Sequence, residues 1–271
     1  MTETARQPVT ILDFARRKKE GQPIVMITAY DALFASLADA AGVDAILVGD
    51  SLQTVLAGEE TTLGATVDQM VYHGRMVRRG TEQALVVVDM PFLSYQVSPT
   101  DAVRNGGRIL KETGAGAVKL EGGAAVAPAV EALVTAGVPV MGHLGYTPQS
   151  VHRLGVDRPQ DRGQGAFEKL IRELKALENA GVFAIVLALM PAVIARRLTE
   201  AASVPTIGIG SGPRCDGQVL MLHEMLGLGE HAPPHVKRYA ELGDEVRAAV
   251  ASYAEEVRQG KFPGPEHVQK V

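Results

Sequence analysis

The stretch AGVDAILVGDS (Ala41–Ser51) states the phrase on which this chain is built. A helix closes on Ala-Gly, a short turn follows, an apolar run comes next, and a residue with chemistry stands at its end. The phrase returns in TGAGAVKLEGG (Thr113–Gly123), AGVPVMGHLG (Ala136–Gly145) and AGVFAIVLALMP (Ala180–Pro191). ASVPTIGIGSG (Ala202–Gly212) is a variant with serine in place of the first glycine. Glycine after a helix supplies a left-handed cap. Apolar runs without polar alternation are strands buried on both faces, the mark of a parallel sheet.

Between the runs lie amphipathic segments, among them DALFASLADAAG, TVDQMVYHGRMVRRG, TDAVRNGGRILKETG and FEKLIRELKALENAG, with apolar residues three and four apart. The spacing predicts strands over Val25–Thr28, Ala45–Val48, Leu85–Val88, Ala117–Leu120, Val138–Met141, Ala184–Leu187, Thr206–Ile209 and Gln218–Leu222. Eight strands alternating with helices make an α/β (β/α)₈ barrel the expected fold, a type that commonly runs to about 250 residues as one domain. A doubly wound open sheet is the alternative, because sequence does not show closure. No proline- or serine-rich linker divides the chain, so residues 1–271 are expected to form a single barrel domain. Residues 1–20 form an N-terminal segment and helix, and Ile11–Lys19 is placed to plug one end of the barrel. Leu242–Gln259 is the closing helix, and 260–271 a tail.

Apolar residues make up 46% and charged residues 21%, enough for a large core and too few charges for a disordered chain. A net charge of −4 argues against a nucleic-acid surface. RRKK (Arg16–Lys19) continues a helical pattern and reads as a solvated face. Cys215 is the one cysteine, so no internal disulfide forms, which suits a cytoplasmic protein. MTETARQPVT lacks the order of a signal peptide, and no apolar run approaches the ~18 residues that span a bilayer.

Barrels of this type hold their sites at the carboxyl ends of the strands. Those positions here are Tyr30-Asp31, Asp50-Ser51, Asp89, Lys119 with Glu121, His143, Ala188, the glycines Gly208, Gly210 and Gly212, and His223-Glu224. Asp50, Asp89 and Glu121 come from three consecutive strands. Carboxylates brought that close repel one another unless a cation or a proton intervenes, and oxygen-only ligands suit a hard ion such as Mg²⁺. Capping of the following helices is the plainer role for any one of them. Lys119, two residues before Glu121 and on the same side of its strand, either binds a substrate carboxylate or pairs with its neighbour. EGGAAV and GIGSG offer backbone N–H groups to an anion, or are merely tight turns. His143 is either a structural histidine or a functional one at the mouth. Neither a nucleophile elbow, a Walker loop nor a Cys-x-x-Cys pair is present, and Cys215 reads as incidental.

The phrases ITAYD (Ile27–Asp31), LVGDSL (Leu47–Leu52), Asp89-Met90-Pro91-Phe92, VKLEGG (Val118–Gly123), GHLGYTPQS (Gly142–Ser150), PTIGIGSG (Pro205–Gly212) and DGQVLMLHE (Asp216–Glu224) resemble the ketopantoate hydroxymethyltransferase family, in family order over nearly the whole chain. The resemblance implies a (β/α)₈ barrel, Mg²⁺ dependence and a homo-oligomer, often a decamer. It also implies transfer of a one-carbon unit from 5,10-methylenetetrahydrofolate to the 2-oxo acid 3-methyl-2-oxobutanoate, on the route to pantothenate. Asp50, Asp89 and Glu121 would surround the metal, and Asp50, Ser51, Asp89 and Lys119 would hold the oxo acid. No nucleic acid or membrane partner is implied.

Three positions depart from the family. The strand matching VFAIVLALMP usually ends in a glutamate that serves as the base; here Ala188 stands in its place. Gln53 follows VGDSL where glycine is usual, and LGVDRPQDR (Leu154–Arg162) replaces a glycine-rich lid. His143 or a metal-bound water is then the candidate base. A paralogue for another 2-oxo acid and a barrel that binds without turnover are the alternatives. The Lys-Lys-Cys-Gly-His loop of related lyases is missing.

Overall fold

A computed structural model describes residues 7–154 and 165–269. Two compact units result, Met1–Leu220 and Met221–Val271. In the first, eight parallel strands close into a barrel in the order β1 to β8. They are β1 (Ile24–Thr28), β2 (Ala45–Val48), β3 (Leu85–Asp89), β4 (Ala117–Lys119), β5 (Val140–Gly145), β6 (Ala184–Ala188), β7 (Thr206–Ile209) and β8 (Gly217–Leu220). The helices Ala32–Ala40, Val67–Arg79, Pro99–Thr113, Ala127–Thr135, Ala166–Asn179 and Ala192–Ala201 follow β1 to β6 in turn. Segment 210–216 joins β7 to β8 without a helix. The open-sheet alternative is thereby excluded, since β1 pairs with both β2 and β8.

Side chains alternate in and out along each strand. Met26, Leu47, Val87, Met141, Val186 and Ile207 point into the lumen and form its packed core. The same two-residue step carries each inward column to the carboxyl end. Leu85 and Val87 lead to Asp89, Ala117 leads to Lys119 and Glu121, Met141 leads to His143, and Ala184 and Val186 lead to Ala188. Strand parity thus delivers the chemistry to one mouth.

The opening helix α1 (Ile11–Glu20) begins at Thr10, whose N–H donates to Asp13 Oδ2 at 2.8 Å, and ends at Gly21 with φ 66°. Phe14 is fully buried among the lumen residues and meets Phe183 edge-on at 5.5 Å, so α1 does plug the amino end. RRKK is only half a solvated face. Arg17 pairs with Asp44 at 2.7 Å and Lys18 with Asp216 at 2.8 Å, both largely buried, because the plug brings them against the barrel floor.

The fifth strand starts later than its sequence predicts, because Pro139 has no N–H to give the ladder, and runs further because its pairing with β6 continues to Gly145 opposite Ala188. The eighth ends earlier. Leu222 opens a helix, Leu222–Met225, in the second unit, which also holds the closing helix Leu242–Arg258. His223 and Glu224 therefore belong to that helix and not to a strand end. Among the described residues, no helix is long and apolar enough to cross a membrane.

Candidate active site

The carboxyl ends of β2 to β5 gather five ionisable groups that are almost wholly buried: Asp50, Asp89, Lys119, Glu121 and His143. Lys119 stands at their centre. Its Nζ lies 2.9 Å from Asp89 Oδ1 and 3.2 Å from His143 Nδ1. The two readings of Lys119 are decided in part, since it does pair with a carboxylate, but the partner is Asp89 on the adjoining strand. Asp89 Oδ2 accepts from the Asp50 backbone N–H at 3.0 Å, which ties the β2 exit to the β3 exit.

Gly49 makes that approach possible. It is the next inward position after Leu47, and a Cβ there would stand 2.6 Å from Ser51 Oγ and 3.6 Å from Asp89 Oδ2. Ser51 is held in turn by the Tyr30 hydroxyl at 2.8 Å, so Tyr30 at the end of β1 also belongs to the site. Gln149 and Tyr95 complete it. Neither was singled out by spacing: Gln149 entered only as a letter of the GHLGYTPQS phrase, and Tyr95 carried no signal. Gln149 donates from Nε2 to Asp50 Oδ2 at 2.8 Å and from its backbone N–H to Glu121 Oε2 at 3.0 Å.

The electrostatics follow from three acids and one base in a dry site. Burial, reinforced by Asp89, pushes Asp50 up to about 7. Burial raises Asp89, against the opposing pull of Lys119. Burial and then Asp50 hold Glu121 well above the usual carboxylate range. Burial works against the Lys119 charge, but Asp89, Glu121 and Asp50 more than restore it and hold the ammonium above its ordinary value. His143 is driven well below the usual histidine range by burial and by Lys119. Its Nε2 faces the Tyr146 carbonyl at 2.8 Å and must carry the proton, which leaves Nδ1 as the acceptor from Lys119. Both ring nitrogens are engaged within the protein.

Surplus negative charge in a buried site fits a divalent cation. Asp89 Oδ1 supports this: it lies within ion-pair distance of Lys119 but makes no well-directed hydrogen bond. Among the described residues, no three His, Cys, Asp or Glu side chains already stand as a closed ligand set. Asp50 and Asp89, on adjoining strands, are the donors that fit, with Glu121 beside them.

A pH dependence follows. Asp50 titrates near 7 in the folded chain and near 3.8 when unfolded, so between these values the folded state binds the extra proton. The metal-free protein therefore loses stability as pH rises from about 4 to about 7. Its thermal midpoint is expected to fall over that window, and Mg²⁺ to raise it more at pH 8 than at pH 5. A midpoint with no such slope, and an Mg²⁺ effect equal at both pH values, would remove the charge excess from the argument.

Ala188 ends the inward column of β6, is buried, and takes part in the lumen core beside Tyr146 and Ile209. Gly145 backs onto it so closely that a Cβ would lie 2.2 Å from the Ala188 carbonyl oxygen. The alanine thus occupies a true mouth position. The other departures resolve differently. Gln53 is buried and turns to Gln69, donating at 3.0 Å, so it fastens the helix Leu52–Val55 to the start of the helix Val67–Arg79. Residues 155–162, nearly all of the altered lid, lie outside the described residues.

Both glycine-rich segments make internal hydrogen bonds. Gly122 N–H donates to the His143 carbonyl at 3.1 Å and Ala124 N–H to Glu173, so these two EGGAAV donors are engaged within the protein. In GIGSG, Ser211 Oγ donates to the Leu187 carbonyl at 2.8 Å and stitches β7 to β6.

A closed parallel barrel with buried acids and a buried lysine at the carboxyl ends of its strands has the architecture of a barrel enzyme acting on small polar molecules. Among solved structures, a 2,3-dimethylmalate lyase of the PEP mutase/isocitrate lyase superfamily matches with a TM-score of 0.62 at 18% identity, covering 96% of this chain and 89% of the other. A phosphonopyruvate hydrolase matches with a TM-score of 0.63 at 12% identity, covering 97% and 92%. These share the fold.

The chain belongs to the ketopantoate hydroxymethyltransferase family, whose model matches residues 8–265. Relatives named 3-methyl-2-oxobutanoate hydroxymethyltransferase include one from Moorella thermoacetica, 54% identical over 97% of this chain and 98% of its own. One from Pyrobaculum islandicum is 51% identical over 96% and 98%.

Proposed function

We propose that this chain transfers a hydroxymethyl group from 5,10-methylenetetrahydrofolate to 3-methyl-2-oxobutanoate, giving 2-dehydropantoate for pantothenate synthesis. The observation that carries the proposal is the buried cluster of Asp50, Asp89, Glu121 and Lys119 at one barrel mouth, in a chain about half identical to proteins of that name. Asp50 and Asp89 would hold Mg²⁺, with Glu121 alongside. The ion, when bound, polarises the keto oxygen and eases loss of a proton from carbon 3. Lys119 and Ser51 orient the oxo-acid carboxylate, and Tyr30 fixes the Ser51 hydroxyl. The buried mouth excludes water and strengthens each of these contacts. A cytoplasmic homo-oligomer, decameric by resemblance, is part of the same reading.

A second reading has its own observation: the β6 column ends in Ala188, and both nitrogens of His143 are already engaged. With no carboxylate at the base position and no free imidazole nitrogen, binding without efficient proton removal fits as well. Hydrogen exchange at carbon 3 of 3-methyl-2-oxobutanoate in D₂O, followed by NMR with and without Mg²⁺, separates the two. Mg²⁺-dependent exchange supports the transferase. Saturable binding without exchange supports the binding barrel, and neither binding nor exchange sinks both.

A further inference from the structure

Gln149 is a neutral amide at the centre of a charged site. It is 5% exposed and sits between Asp50, Glu121 and Tyr95, close after the end of β5. Its hydrogen-bonding capacity is filled. One Nε2 proton goes to Asp50 Oδ2 at 2.8 Å and the other to the Met90 carbonyl at 3.0 Å. Oε1 accepts from the Tyr95 hydroxyl at 2.6 Å and from Gln96 Nε2 at 3.3 Å. The reverse orientation would aim the amide oxygen at the Met90 carbonyl, which cannot donate, and the amide N–H₂ at Gln96 Nε2, which cannot accept, so the network admits one orientation.

Tyr95 fixes it. Its phenol is 2% exposed and accepts from the Glu121 backbone N–H at 3.1 Å. Its single proton has two acceptors in reach, Gln149 Oε1 at 2.6 Å and the Glu121 carbonyl at 3.0 Å. Glu121 is thus bound twice: its backbone to Tyr95, and its carboxylate to the Gln149 N–H at 3.0 Å.

We propose that Gln149, oriented by Tyr95, is the positioning residue that sets the Asp50 and Glu121 carboxylates for a divalent cation and the oxo acid. The inference rests on the metal-dependent reading given above. An amide suits the place for a physical reason. A lysine would neutralise the acids and take the cation's role, while a glutamate would add a fourth negative charge. One uncharged N–H on Asp50, with the other anchored on the Met90 carbonyl, holds Asp50 in line and leaves its charge for the ion.

The experiment measures Mg²⁺ binding by isothermal titration calorimetry in the absence of substrate, on the full chain and its variants, with circular dichroism confirming the fold. Loss of such a supporting contact costs about 10–100-fold in metal affinity. Gln149→Met is expected to raise the Kd for Mg²⁺ by that factor. Tyr95→Phe, which keeps both Gln149 N–H donors, is expected to raise it by less. The double variant should fall clearly short of the product of the two losses, because Tyr95 acts through Gln149 as well as through the Glu121 backbone. A folded Gln149→Met with unchanged Kd overturns the positioning role alone, as does a double variant in which the two losses multiply. Should Gln149→Met fail to fold, an unchanged Kd in Tyr95→Phe overturns it. Failure of the unaltered protein to bind Mg²⁺ overturns the metal-dependent reading and this inference with it.

Discussion

Replacing Ala188 with glutamate is expected to accelerate Mg²⁺-dependent hydrogen exchange at carbon 3 of 3-methyl-2-oxobutanoate by about 10²–10⁴. In barrier terms this is roughly 3–5 kcal/mol. The reasoning starts from strand parity. Ala184, Val186 and Ala188 face the lumen in succession, so a longer side chain at 188 projects toward the mouth and away from the surrounding helices. The histidine nearest the acids does not fill the role, because Lys119 and the Tyr146 carbonyl occupy both its nitrogens. A glutamate also adds volume beside Tyr146 and Ile209, and overpacking there is expected to cost about 1–3 kcal/mol of stability. The assay therefore pairs the NMR exchange rate with a denaturation midpoint. A folded variant that exchanges no faster than the unaltered protein would show that proton removal is not what Ala188 limits.

Lys119→Met is expected to destabilise the metal-free protein by about 3–5 kcal/mol at pH 8, the usual cost of leaving a buried ion pair with one partner. The methionine keeps the length and removes the charge. Asp50, Asp89 and Glu121 then share a dry mouth with no cation. Their folded-state values, already raised, rise further, so the folded variant holds more protons than the unfolded chain through the neutral range. Stability is then lost as pH rises, and the deficit should shrink toward pH 5. Chemical denaturation at the two pH values checks this. An equal deficit at both would mean that Lys119 matters for packing and not for charge. Affinity for the oxo acid should fall in the same variant, because its carboxylate loses the ammonium.

Apolar runs, five of them within the repeated phrase, were enough to place eight strands, because a strand buried on both faces leaves an unbroken apolar run. Ala45–Val48 and Thr206–Ile209 match their predicted bounds for that reason. Errors fell where one residue's chemistry overrode the pattern. Pro139 lacks an N–H, so β5 starts after it, and pairing with β6 as far as Gly145 places His143 inside the strand. At β8 the apolar run continues past Leu220 into a helix, where hydrophobicity alone does not separate the two forms.

The acids, the lysine and the missing glutamate were all legible, since each stands at or just beyond the carboxyl end of a visible strand. Sequence determined the alternation of strands and helices, the strand end at which each ionisable group stands, and the absence of a carboxylate at Ala188, because these depend on local periodicity; closure was decided by the pairing of β1 with β8. Tertiary structure alone decided what the groups do to one another. It set Lys119 against Asp89, turned Gln53 toward Gln69, tied Gly122 to the His143 carbonyl and Ser211 to the Leu187 carbonyl, and brought Gln149 and Tyr95 between Asp50 and Glu121. Those contacts join residues from separate strand–helix units, and a hydrogen bond across the barrel mouth leaves no period in the chain that makes it.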